Sequence, residues 1–344
     1  MTYRTIVVGT DGSPTARLAE ARATRLAKAH DAMLLIASAY ADDGADPQAV
    51  LQTSADAARQ QWSRVDVRAV PGDPATAMVT LARDEQADLL VVGNKGMAGR
   101  MAFLLGSVPD RISHTAPCDL LIVKTASDDA ARRASTDYRS MLVATDGSQT
   151  SLQAVRRAHA LGVRTGASPV LFYAGHPKTA DIVFAEVTRA YLPAGTLGTA
   201  SRRGDPADAI CRMAEDEGYD LIVVGNRGML GRRFHIGTIP NKVSHQSPTD
   251  LLIVKTTSDS IDDLSNGEGA VVRVNGQDVA AYRDDQGAVH QVSARCAHMG
   301  CIVGWNPDDR TWDCPCHGSR YDAFGAVIRG PATRGLASVE EAES

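Results

Sequence analysis

The chain has 344 residues, with 36 Lys and Arg against 41 Asp and Glu, a formal net charge of −5 and an aromatic share of 5%. That length suits two or three domains, and the apolar content is that of an ordinary globular protein with buried cores. The mildly acidic balance and scattered Arg pairs argue against nucleic acid as a partner, since phosphate binding needs grouped cations. No run approaches the ~20 apolar residues of a membrane helix, which argues against a membrane partner.

In chain order, strand-like runs fall near Thr5–Gly9, Met33–Ala39, Val65–Val70, Leu89–Gly93 and Leu120–Val123. Helix-like runs alternate with them near Thr15–His30, Pro47–Trp62, Pro74–Gln86 and Ser107–His114. No basic and then apolar leader precedes the first strand, so the expected compartment is the cytoplasm. The strands are near-continuous apolar runs, as for parallel strands covered on both faces. Their alternation with helices predicts an open α/β sheet, with ligands at the carboxyl ends of strands where strand order reverses.

The chain then repeats itself. TDGS occurs at Thr10 and Thr145, GDPA at Gly72 and Gly204, and DLLIVKT at Asp119 and Asp250. The stretch from Ala87 matches that from Tyr219, and the offset drifts only from 135 to 131 residues. Two copies of one domain, 1–125 and 138–256, are therefore expected, with polar joints between them and after them. Ser13 and Ser148 read as helix caps; Cys118, Cys211, His114 and His245 read as structural.

A Gly-rich turn follows the fourth strand: Gly93-Asn-Lys-Gly96, nine residues, then Gly106-Ser107 opening a helix. Glycine lets main chain approach a ligand, and a helix N-terminus offers N–H groups to an anion. Tight turns alone would equally explain the glycines. Together, the TDGS aspartate, the GDP turn, the DLLVVG strand and this loop resemble the universal stress protein family over almost all of both copies. The resemblance implies Rossmann-like five-stranded parallel sheets binding ATP or another adenine nucleotide. It places Asp11 at the nucleoside, Ala39 main chain at the adenine, and Gly93, Gly96, Gly106 and Ser107 around ribose and phosphates. In the second copy the matching Asp146, Gly225, Gly228, Gly237 and Thr238 are doubtful, because only eight residues separate Gly228 from Gly237. A copy kept for packing is the alternative. The family pairs such domains through an edge strand, which a tandem chain can satisfy internally; a homodimer stays open.

From about Leu264 the texture becomes short β runs, Ala270–Val274, Gln277–Tyr282 and Val289–Ser293, with hairpins expected at Asn275-Gly276 and Asp284–Gly287. A small all-β domain over 264–344 is expected. It holds two boxes, Cys296-Ala-His298-Met-Gly-Cys301 and Cys314-Pro-Cys316-His317-Gly-Ser319. Two Cys and two His suit tetrahedral zinc, and equally a cluster with Cys on one iron and His on the other. Both complete boxes and their flanks resemble the Rieske family. That resemblance implies a [2Fe-2S] cluster held by Cys296, His298, Cys314 and His317, with Cys301 and Cys316 as a disulfide pair and Ser319 and Tyr321 tuning the cluster. The expected potential lies in the upper half of about −150 to +300 mV.

No dinucleotide fingerprint, facial triad or nucleophile–base pair accompanies these motifs. The leading expectation is a soluble stress-response protein that binds adenine nucleotide and carries a one-electron centre for sensing or relay to a redox partner protein. The alternatives are an electron-transfer component of an oxidoreductase, with the tandem domains as docking scaffold, and slow ATP hydrolysis.

Overall fold

A computed structural model describes residues 2–40, 47–94, 105–124, 137–191, 197–226, 238–255, 261, 264, 266–274, 277–306, 309–314 and 317–339. The expected residues Gly96, Gly228, Gly237 and Cys316, and the Asn275-Gly276 hairpin turn, lie outside the described residues. The chain divides into two compact units, one holding both repeat copies and the other residues 257–344.

In the first copy, β1 (Thr5–Gly9), α1 (Pro14–His30), β2 (Met33–Tyr40), α2 (Gln48–Arg59), β3 (Val65–Pro71), α3 (Pro74–Asp84), β4 (Leu89–Gly93), α4 (Ser107–Thr115) and β5 (Asp119–Val123) follow one another. The second repeats the plan with β6 (Ser140–Ala144), α5 (Gln149–Thr165), β7 (Ser168–Ala174), α6 (Pro177–Tyr191), β8 (Gly198–Arg202), α7 (Pro206–Glu217), β9 (Leu221–Asn226), α8 (Thr238–Gln246) and β10 (Asp250–Lys255). Local signals set the helix starts. Ser13 Oγ accepts the Ala16 N–H, Ser148 Oγ accepts the Ser151 N–H, and Asp73 and Asp205 cap α3 and α7 just before a proline. These are side chains that satisfy the free N–H groups of a first turn.

The strands form one ten-stranded sheet in the order β3-β2-β1-β4-β5-β10-β9-β6-β7-β8. Within each copy all pairs are parallel, and order reverses between β1 and β4 and between β6 and β9. Successive strand residues feed opposite cores: Ile6 and Val8 pack with α1, α2, α5 and α6, while Val7 packs with α3, α4, α7 and α8. This is the period of 2 expected when helices cover both faces of a sheet.

The two copies join where β5 meets β10 antiparallel, with the equivalent residues Leu121 and Leu252 directly opposite. Each copy thereby hides the other's edge, which would otherwise offer unpaired N–H and C=O groups. The same polar contact closes both ends of the seam. Asp119 accepts from the Tyr3 hydroxyl at 2.9 Å and the Lys255 N–H at 2.9 Å, with Arg157 Nε 2.7 Å away. Asp250 accepts from the Tyr138 hydroxyl at 2.8 Å, the Lys124 N–H at 2.9 Å and Arg22 Nε at 3.2 Å. Both carboxylates are buried and ion-paired to the other copy's arginine, which is how a charge is tolerated away from water.

In the second unit, β11 (Gly269–Val274), β12 (Gln277–Arg283) and β13 (Val289–Ser293) form one antiparallel sheet. The Asp284–Gly287 turn between the last two is closed by the Gly287 N–H on the Asp284 carbonyl. A second antiparallel sheet follows as β14 (Gly304–Asn306), β15 (Thr311–Asp313), β16 (Arg320–Asp322) and β17 (Val327–Arg329).

Candidate functional sites

The two Cys/His boxes fold into matched loops. In the first, the Gly300 N–H reaches the Cys296 carbonyl at 2.8 Å; in the second, the Gly318 N–H reaches the Cys314 carbonyl at 3.1 Å. Gly300 and Gly318 take φ of 71° and 76°, left-handed values that glycine adopts without the Cβ penalty. Each loop therefore turns back on itself four residues after its cysteine and projects a histidine on the way. Strand pairing anchors them, through the Cys296 N–H on the Cys301 carbonyl and the Cys314 N–H on the Ser319 carbonyl.

The loops form two like pairs, Cys296 with Cys314 and His298 with His317. Cys296 and Cys314 are 3% and 1% exposed and hydrogen-bond to each other. The imidazoles of His298 and His317 lie edge to face with centroids 4.9 Å apart. A thiol pair and an imidazole pair is the division a two-iron cluster requires, whereas a single tetrahedral ion needs its ligands at one point, and among the described residues no three such ligands are gathered. Burial pushes the Cys296 thiol up, but hydrogen bonds from the Tyr321 hydroxyl, the His298 main chain, the Cys314 thiol and the Ser319 hydroxyl outweigh it. The thiol therefore titrates below its ordinary value, the direction that favours thiolate. The donor set fits the cluster.

Tyr321 and Ser319 are both fully buried around this end. The Tyr321 hydroxyl lies 3.0 Å from Cys296 Sγ and also accepts the Ala297 N–H at 3.2 Å. Ser319 Oγ accepts the Ala332 N–H at 3.0 Å, which ties the Gly330-Pro331-Ala332 segment to the site. Cys301 is disulfide-bonded, while Cys118, Cys211, Cys296 and Cys314 are free.

At the carboxyl edge of the first copy, Gly93 ends β4 and the Asn94 carbonyl accepts the Gly106 N–H at 2.8 Å. A Cβ on Gly106 would stand 3.3 Å from that carbonyl oxygen, so glycine lets the two ends of the loop close on each other. Gly93, Gly106 and Ser107 are thus brought together, with Ser107 opening α4. Asp11 and Ala39 lie past the ends of the adjacent β1 and at the end of β2. Asp11 is exposed, and its carboxylate accepts the Ser13 N–H at 3.0 Å. Sequence reasoning missed two residues here. Asn94, 1% exposed, supplies the carbonyl that accepts the Gly106 N–H, and its repetition as Asn226 was the available signal. Glu20, buried on α1, accepts the Thr10 hydroxyl at 2.5 Å, and Thr10 Oγ1 accepts the Gly12 N–H at 3.1 Å. Glu20 becomes Val155 in the second copy, so no repeat pointed to it.

The second copy is arranged differently at matching positions. Asp146 accepts both the N–H and the hydroxyl of Ser148, at 3.0 and 2.5 Å, whereas Ser13 Oγ lies 2.9 Å from Thr15 Oγ1. A Cβ on Gly225 would come within 2.5 Å of the Thr150 carbonyl oxygen, so the start of α5 sits hard against the end of β9. Thr238 opens α8.

Among the described residues no helix is long and apolar enough to cross a membrane. Residues 2–124 and 178–255 match the universal stress protein family, and residues 255–340 match the Rieske [2Fe-2S] domain. Universal stress protein Rv1636 of Mycobacterium tuberculosis is 40% identical over 143 residues, 36% of this chain and 97% of its own. The Bacillus subtilis Rieske 2Fe-2S iron-sulfur protein YhfW is 40% identical over 113 residues, 31% of this chain but only 22% of its own length. A universal stress protein from Archaeoglobus fulgidus shares the fold at TM-score 0.53 and 18% identity, over 73% of this chain and 98% of its own. A universal stress protein crystallised with cAMP is 41% identical, over 37% of this chain and all of its own, at TM-score 0.33. The chain belongs to the universal stress protein family and carries a Rieske [2Fe-2S] domain over residues 255–340.

Proposed function

We propose that this protein is a one-electron carrier or redox sensor of the stress response. Cys296 and Cys314 would hold one iron and His298 and His317 the other, and the first copy would bind an adenine nucleotide. The observation that carries the reading is the division of the four side chains into a buried thiol pair and an imidazole pair, with the Tyr321 hydroxyl 3.0 Å from Cys296 Sγ. When bound, a [2Fe-2S] group supplies one-electron chemistry at a potential that two neutral imidazoles raise above that of an all-cysteine cluster. The chain's own part is to exclude water from the thiols, to offer hydroxyl donors that favour the electron-rich form, and to pair Cys301 with Cys316 across the two loops.

For the nucleotide, the support is the closed Gly93–Asn94/Gly106–Ser107 loop at the point of strand-order reversal. The β5–β10 seam meets the edge pairing within one chain, so no homodimer is required through that edge. The domain limits that follow are 1–125, 138–256 and 264–344, with the cytoplasm as the working compartment.

Two measurements test the reading. Anaerobically purified protein should contain iron and sulfide and, after dithionite reduction, give a rhombic EPR signal with average g below the free-electron value. A colourless, zinc-containing protein would refute the cluster. Calorimetry with ATP, AMP and cAMP should give one nucleotide per chain; no binding of any of them would refute the nucleotide site.

A further inference from the structure

Residues 257–344 contain five aromatic side chains of the phenylalanine, tyrosine and tryptophan type; ring contacts join Trp312, Trp305, Tyr282 and Phe324, and strand pairing sets Tyr321 opposite Trp312. Tyr321, whose hydroxyl meets Cys296 Sγ, faces Trp312 directly across β15 and β16. Trp312 faces Trp305 across β14 and β15 with ring centroids 4.8 Å apart. Trp305 stacks on Tyr282 at 5.0 Å and 30°, and Tyr282 meets the edge of Phe324 at 5.8 Å. The first four are 9% exposed or less, while Phe324 is 57% exposed. The row thus runs from a cysteine of the site to the surface.

Packing alone does not account for it. Every interior ring is a tyrosine or tryptophan, although phenylalanine fills a dry core without a polar atom to satisfy. The Trp305 indole N–H is buried with no acceptor among the described residues, a cost of about 1–3 kcal/mol that phenylalanine would avoid. What indole and phenol add over benzene is ease of one-electron oxidation. Rings in contact at these separations also couple electronically far better than an aliphatic core of the same length. An indole with no acceptor for its proton keeps that proton when oxidised, so the positive hole stays free to move.

We propose that Tyr321, Trp312, Trp305 and Tyr282 form a second electron port, distinct from the histidine end. Through it the reduced protein quenches strong one-electron oxidants, such as peroxide-derived radicals, that arrive at the Phe324 face. This rests on the cluster reading above. The balance is one electron. Trp305 gives an electron to the oxidant, which is reduced by one unit, and Trp305 is left as its radical cation. Trp305 would recover that electron from the site through Trp312 and by tunnelling past Tyr321, whose phenol is not itself oxidised, so one ferrous iron would become ferric and no proton moves. The direction is downhill, because indole is much harder to oxidise than a cluster of this type.

The test uses the full chain with Phe324→Cys carrying a ruthenium polypyridyl photo-oxidant. Burial raises the Cys118 thiol well above its ordinary value and the Cys211 thiol to about 12, so both stay protonated and resist labelling near neutral pH. After a flash, the reduced protein should show a transient tryptophan radical whose decay matches cluster oxidation. Trp305→Phe, which keeps a ring in the stack but is far harder to oxidise, should abolish the transient and slow cluster oxidation by about tenfold. Trp62→Phe, in the other unit, should change neither. Iron content and the reduced EPR spectrum report whether each variant retains its cluster. Equal oxidation rates in parent and Trp305→Phe, both cluster-loaded, would overturn the port and leave the cluster standing. A parent without any [2Fe-2S] signal would overturn the cluster reading and the port with it.

Discussion

The hydroxyl of Tyr321 lies 3.0 Å from the Sγ of Cys296. A donor aimed at a ligand sulfur stabilises the form that carries more negative charge, which is the reduced one. Burial holds the phenol well above its ordinary pKa, and the hydrogen bond to Cys296 adds to that, so the proton stays on oxygen at any physiological pH.

Tyr321→Phe should therefore lower the midpoint potential. Taking about 1.5–3 kcal/mol for a hydrogen bond to a charged group and 59 mV per tenfold for one electron, the drop is about 65–130 mV. Protein-film voltammetry reads it, and an unchanged potential in a cluster-loaded variant refutes the role.

Asp250→Ala should weaken the seam between the two copies. It removes the acceptor of the buried Arg22 Nε–H, the Tyr138 hydroxyl and the Lys124 N–H. Breaking a buried ion pair from one side costs about 3–5 kcal/mol. Urea unfolding followed by far-UV circular dichroism should show that loss, whereas the exposed pair Arg25–Asp137 should contribute at most about 1 kcal/mol.

His30 makes the first unit acid-sensitive. It is 4% exposed, accepts the Tyr3 N–H on Nδ1 and has no partner on Nε2 among the described residues. Burial, with Arg164 and Arg157 nearby, lowers it to about 4. The unfolded chain takes up this proton as pH falls through about 6.5, while the folded chain resists until about 4. Stability should fall by about 3 kcal/mol over that window, and His30→Gln should flatten the slope. A slope unchanged in the variant refutes the assignment.

Gly106→Ala should loosen nucleotide binding in the first copy. The added methyl stands 3.3 Å from the Asn94 carbonyl oxygen, and it pushes apart the loop ends that Gly106 closes. Calorimetry with ATP should show Kd raised about tenfold, or about 1.4 kcal/mol. Asp146→Ala, at the matching aspartate of the second copy, should leave the affinity unchanged.

Much of this protein was written locally. Helix starts followed from Ser13 and Ser148 because a cap and its N–H lie within three residues of each other. The parallel strands followed from unbroken apolar runs, and the paired loops from Cys, His and Gly at short spacing. Where the two copies meet was decided only by the tertiary structure. Repeated DLLIVK segments announced two equal strands, but a strand carries hydrogen-bonding groups on both sides and its sequence does not name its neighbour. Arg22 finds Asp250 across 228 residues of chain, and the row from Tyr321 to Tyr282 spans two sheets. Such contacts depend on how whole elements pack, because the energy that selects them comes from burying surfaces that no short stretch of sequence contains.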